Sequence, residues 1–188
     1  MKLTKTKLPG VVVIEPQVFT DSRGFFMESY NYKKLREFGI DVSFLQDNHS
    51  LSVEAGVLRG LHYQLHPKAQ TKLVRVTRGA VYDVVVDLRK QSPTYGQWFG
   101  IILSEANKKQ LLVPKGLAHG FCTLVANTEV QYKVDEYYSP EHERGIIWND
   151  PALGIDWPVS EPVMSEKDKR HPVFAEAEHN FDETVLEG

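Results

Sequence analysis

Apolar and polar positions alternate along most of this chain with the period of two of a half-buried strand, not the 3.6-residue period of a helix. The segments from Lys72 to Arg78 and from Glu129 to Val134 show it most cleanly. Short β-branched and aromatic runs, punctuated by turn residues, predict strands over 11–19, 25–30, 45–51, 57–64, 72–78, 80–88, 97–103, 110–113, 120–124 and 129–137. Helical signals are few. Asn31 suits the cap of a short helix running through Glu37, with Gly39 as its stop. A second short helix is expected at Ser165, where Ser-Glu-Lys-Asp has the outline of a capping box ending in Asp.

Ten short strands with short gaps leave no room for the crossover helices of a parallel α/β sheet. They predict an all-β fold of the jelly-roll type, a barrel or sandwich of antiparallel strands. Parity then assigns faces. His62 and Gln64 share one, as do Lys72, Val74 and Val76, and as do Val130, Tyr132 and Val134. Simple alternation puts Arg59 opposite His62, but Gly60 between them is a natural bulge position, so parity leaves Arg59 open.

Composition narrows the class. A chain of 188 residues, 41% hydrophobic and 25% charged, is of ordinary globular make-up and is expected to form one domain over 1–188. A net charge of −3 gives no bulk attraction to nucleic acid or anionic lipid. The basic N-terminus is followed by an apolar run too short for a signal-peptide core or membrane span. One cysteine, Cys122, excludes an internal disulfide and reads as a packed thiol. These features lead to the expectation of a cytoplasmic protein.

Chemistry concentrates in two segments. Gly56-Val57-Leu58-Arg59-Gly60-Leu61-His62-Tyr63-Gln64, followed by Lys72 and Gly79, is one; Pro114-Lys115-Gly116-Leu117-Ala118-His119 is the other. Together they resemble the two motifs of the cupin superfamily. His62 and His119 occupy metal-ligand positions, but Gln64 stands for the second histidine and Lys72 for the carboxylate. An ammonium has no lone pair for a metal, yet it can stabilise a developing oxyanion. No metal or other cofactor is therefore expected. His49, His66, His142, His171 and His179 show no metal-ligand spacing.

A narrower resemblance covers residues 12–168. Arg23-Gly24-Phe25-Phe26-Met27-Glu28, Gln46-Asp47-Asn48-His49-Ser50, Leu58 to Gln64, Trp148-Asn149-Asp150-Pro151, Gly154-Ile155-Asp156-Trp157-Pro158 and Ser165-Glu166-Lys167-Asp168 occur in the order seen in dTDP-4-dehydrorhamnose 3,5-epimerases. The tail from about residue 172 falls outside it and reads as variable and acidic. The resemblance implies His62 as general base, Asp168 as the acid orienting it, Lys72 near the C4 carbonyl and Tyr132 as the opposite-face proton donor. It implies substrate contacts at Arg23, Glu28, Gln46, Asp47, Asn48, Arg59, Lys72, His119, Glu143 and Lys167, with Tyr138 stacking on the nucleotide base. The implied substrate is dTDP-4-dehydro-6-deoxy-D-glucose, and the implied assembly is a homodimer joined by β-sheet extension. Taken alone, Lys167-Asp168-Lys169-Arg170 reads as a solvated charge run. Epimerisation at C3 or C5 only, ketone migration, metal-dependent oxygenation and a non-catalytic sugar-nucleotide-binding cupin are the alternatives.

Overall fold

A computed structural model describes residues 1–182; the last part of the expected variable tail lies outside the described residues. Two antiparallel sheets face each other. The six-stranded sheet runs β1 (Lys2–Lys5), β2 (Val12–Glu15), β10 (Gln110–Val113), β7 (Lys72–Arg78), β12 (Thr128–Val134), β5 (Gln46–Ser52). The five-stranded sheet runs β13 (Glu143–Gly145), β6 (Leu58–Gln64), β11 (Leu117–Thr123), β8 (Ala80–Asp87), β9 (Trp98–Ser104). A separate hairpin pairs β3 (Val18–Asp21) with β4 (Gly24–Met27). This is the all-β jelly roll expected from the strand pattern.

Three apolar clusters explain why the alternation is clean in some strands and blurred in others. The inner one lies between the sheets and takes Val74 and Val76 of β7, Val81 and Val85 of β8, Leu117 and Phe121 of β11, and Val130 of β12. A second covers the outside of the five-stranded sheet, where Leu61, Tyr63, Val84 and Val86 pack under Ile146, Leu153 and Phe181. Central strands such as β8 are thus buried on both faces and lose their polar alternate positions. The third sets Leu35 of helix α1 (Tyr32–Glu37) over Ile14, Leu73 and Leu112.

Several boundaries differ from expectation for physical reasons. The run 11–19 is two strands, because Pro16 has no N–H to continue a ladder. α1 forms where expected, with the Asn31 side chain accepting from the Lys34 N–H at 3.1 Å. The helix expected at Ser165 is only a three-residue 3₁₀ turn, Asp168–Arg170. Ser165 Oγ does accept the Asp168 N–H at 3.1 Å, but no apolar face follows to extend the turn. β1 and β13 were not expected from sequence. Residues 172–182 run back over the five-stranded sheet, and Phe181 is buried there.

Candidate active site

The inner core is apolar at one end and polar at the other. At the polar end, a cavity of about 530 Å³ is lined by Arg59, His62, Lys72, His119, Tyr132, Tyr138, Glu143, Lys167 and Asp168, with Ser50, Phe121 and Met164 among their neighbours. The five-stranded sheet contributes Arg59, His62 and His119, and the facing sheet contributes Ser50, Lys72 and Tyr132. His62 and Tyr132 therefore stand on opposite walls.

Arg59 joins His62 on the cavity side because β6 bulges. The pairing of β6 with β11 is His119↔His62 and then Phe121↔Arg59, so Gly60 and Leu61 together face Gly120. Arg59 then reaches across to β5, donating to Ser52 Oγ and to the Leu51 carbonyl, both at 3.3 Å.

His62 Nε2 meets Asp168 Oδ1 at 2.7 Å, while the Gly60 N–H donates to Asp168 Oδ2 at 3.1 Å. This leaves His62 Nδ1 as the nitrogen available to a ligand. Burial opposes ionisation of Asp168, but the adjacent His171 and His62 imidazoles and the Gly60 N–H outweigh it and hold the carboxyl well below the usual range. His119 Nε2 lies 3.0 and 2.9 Å from the two oxygens of Asp83, a buried pair.

Lys72 and Tyr132 form the opposite wall, the ammonium 5.9 Å from the ring centre. Burial pushes Lys72 down to about 8, against the attraction of Asp83 and Glu143. Burial pushes Tyr132 up, so its phenol keeps its proton. At the rim, Tyr138 donates to Glu143 at 2.8 Å, and Lys167 bonds the same carboxylate. Burial of Glu143 would raise it, yet the bonds from Lys167 and Tyr138 bring it below its ordinary value. Together these groups offer an imidazole with one ring nitrogen free, a buried ammonium and a protonated phenol around one cavity.

The family model for dTDP-4-dehydrorhamnose 3,5-epimerase matches residues 5–176. The chain belongs to the dTDP-4-dehydrorhamnose 3,5-epimerase family. The family member from Shigella flexneri is 53% identical over 180 residues, covering 95% of this chain and 99% of its own. The epimerase from Bacillus anthracis, solved with TDP and PPi bound, is 58% identical with a TM-score of 0.90, covering 92% of this chain and 98% of its own. The Legionella pneumophila dTDP-6-deoxy-D-glucose-3,5-epimerase, solved with dTDP-4-keto-L-rhamnose, is 48% identical with a TM-score of 0.87, covering 92% of each chain.

Within this epimerase-family chain, nine of the candidate positions line the one cavity. Five do not. Gln46 and Asn48 lie on β5, bonded to each other at 2.9 Å, and Gln46 accepts the Tyr138 N–H at 3.3 Å, so both adjoin the rim. Asp47, on the outer face, pairs with Lys133 at 2.9 Å beside a separate cavity of about 230 Å³. Arg23 sits in the turn of the β3–β4 hairpin, bonded to Asp21, and Glu28 pairs with Lys34 and Asn31. Three residues escaped the sequence reasoning. Asp83 had a signal, a carboxylate at an inward position between Val81 and Val85. Ser50 shares the parity of Gln46 and Asn48. His171, its ring 5.6 Å from that of His62, had none.

Proposed function

We propose that this chain converts dTDP-4-dehydro-6-deoxy-D-glucose to dTDP-4-dehydro-L-rhamnose by inverting C3 and C5 through proton exchange. The observation that carries the reading is the facing of a carboxylate-backed imidazole, His62, by a protonated phenol, Tyr132, with the Lys72 cation beside it. Protons next to a ketone become removable when the enolate oxygen is stabilised, and a buried ammonium supplies that stabilisation. Asp168 holds the His62 proton on Nε2, so Nδ1 keeps the lone pair that accepts the carbon-bound proton. Tyr132 returns a proton from the other wall, inverting the carbon, and solvent resets both groups before the second exchange. No step requires a metal.

Arg59, Tyr138, Glu143 and Lys167 at the rim suit the nucleotide part, the guanidinium matching paired phosphate oxygens. Arg23 and Glu28 belong to the same reading as groups supplied by a second copy. Phe19, Phe25 and Phe26 on their hairpin are 56%, 58% and 68% exposed, and β5, at the open edge of its sheet, adjoins the rim. A homodimer would cover those rings and bring the hairpin of one chain to the cavity of the other. The buried thiol of Cys122 and a nucleotide-sugar substrate fit a cytoplasmic setting.

Proton NMR in deuterated water, with chelator-treated protein and the 4-keto-6-deoxyglucose substrate, tests the reaction. Exchange at both C3 and C5 is expected. Label at one carbon only would make it a mono-epimerase, and no exchange would remove the catalytic reading.

A further inference from the structure

Beyond helping to hold Asp168 ionised, His171 has no part in the proton-exchange reading. It follows the 3₁₀ turn that carries Asp168, and its side chain is only 10% exposed. Its Nε2 has no hydrogen-bond partner, although it lies 3.4 Å from Asp168 Oδ1, the same oxygen that His62 Nε2 meets at 2.7 Å. A buried ring nitrogen without a partner is uncommon and calls for a cause. Space for the ring comes from Gly145, on the strand paired with β6, since a Cβ there would run into the imidazole.

Two imidazole nitrogens and a carboxylate oxygen thus lie within 4.8 Å of one another, beside a cavity that could admit a fourth, water ligand. Two histidines and one carboxylate form a familiar donor set for zinc and similar divalent ions. Metal–ligand bonds of about 2.0–2.1 Å at tetrahedral angles put neighbouring donors about 3.3 Å apart. The His171–Asp168 separation already matches, and the His62–Asp168 contact would need to open by roughly 0.6 Å to reach that spacing. Gln64, Lys72 and His119 take no part, so the donor set shares only His62 with the cupin motif positions.

We propose that His62, Asp168 and His171 form a zinc-type site whose occupation switches the epimerase off. The metal takes the lone pair of His62 Nε2, and the single proton of the neutral ring moves from Nε2 to Nδ1. Nδ1 then has no lone pair for a carbon-bound proton, and Asp168 is committed to the ion. The binding half stands on the geometry alone; the inhibitory half rests on His62 acting as the base.

The test uses the full chain, stripped with chelator, and reads two quantities during a Zn²⁺ titration. Metal bound is measured by competition with a chromogenic chelator, and turnover is measured on the dTDP sugar. One Zn²⁺ per chain is expected, with turnover lost at the same midpoint and restored by EDTA. In His171→Leu the midpoint, relative to that variant's own zinc-free rate, should rise at least about tenfold, the loss expected for one donor. An unchanged midpoint, or no stoichiometric zinc in the wild type, overturns the site. Zinc bound at one per chain with undiminished turnover overturns the inhibitory role and also His62 as the base. Failure of the proton-exchange reading itself shows separately, as absent deuterium exchange in zinc-free protein. X-ray absorption at the zinc edge of the wild type needs no variant: two imidazole nitrogens are expected, and one or none overturns the assignment.

Discussion

The Lys72 ammonium stands 5.9 Å from the centre of the Tyr132 ring, and burial separates two groups that titrate close together in water. Lys72 comes down to about 8 while Tyr132 goes up. The order matters, since the enolate needs a cation and its reprotonation needs a phenol that still holds its proton.

The alkaline limb of kcat/KM should therefore fall from about pH 8 as Lys72 loses its proton. Lys72→Arg, whose guanidinium stays charged, should keep some exchange and lose that limb. A limb unmoved in the variant would assign it to another group. Stability runs the other way. The folded chain gives up the Lys72 proton at about 8, whereas the unfolded chain keeps it to the ordinary 10.5. The unfolded state binds more protons in that window, so Lys72's contribution makes folding more favourable as pH rises from about 8 to 10.5. Denaturant midpoints of wild type and Lys72→Met across that window isolate it.

Tyr132→Phe removes the opposite-wall proton and leaves His62, Asp168 and Lys72 in place. Deprotonation should persist, so deuterium still enters the substrate, while formation of inverted product falls about 10²-fold or more. The readout is the ratio of label in recovered substrate to inverted product. Normal turnover would remove Tyr132 as the donor.

Strand parity made half of this site legible. Lys72 with Val74 and Val76, and Tyr132 with Val130, do point inward as their alternation requires. Arg59 could not be assigned that way, because a bulge resets parity and only the β6–β11 register reveals it. β13 has three residues, too few for any period, and exists through its pairing with β6. His171 became visible only when the chain after the 3₁₀ turn folded back on Asp168, a tertiary event with no local pattern. Asp47 shows the converse limit. Adjacent to Gln46 and Asn48 in sequence, it points away from them by the same alternation, to Lys133.

Gly60 has φ +117°, and a Cβ there would lie 2.7 Å from Gly120 Cα and from the His119 carbonyl oxygen. Gly60→Ala should destabilise the fold by at least about 3 kcal/mol, combining backbone strain with a clash against backbone that has nowhere to move. Gly39→Ala is the control, with φ +82° and nothing within 4 Å of the added atom. It should cost only about 1–2 kcal/mol, the strain alone. Equal urea midpoints for the two variants would mean that the close approach of β6 and β11 contributes nothing.

Gln64 holds the loop that carries Tyr138. Its Nε2 donates to the Lys68 carbonyl at 2.6 Å and to the Tyr137 carbonyl at 3.2 Å, and its Oε1 accepts the Ser139 N–H at 2.8 Å. The residue at the second-histidine position of a metal cupin thus spends its amide on backbone, at Lys68 and on both sides of Tyr138. Gln64→Leu keeps the bulk and strands three partly buried backbone groups, a cost of about 1–3 kcal/mol in stability. The facing arrangement of His62 against Lys72 and Tyr132 does not depend on those bonds, whereas the position of Tyr138 at the rim does. KM for the dTDP sugar should rise roughly tenfold with kcat nearly unchanged, the pattern of lost uniform binding. A fall in kcat at constant KM would instead bring Gln64 into the chemistry, and unchanged kinetics would show that the other bonds of the loop, including Gln46 to the Tyr138 N–H, suffice to hold it.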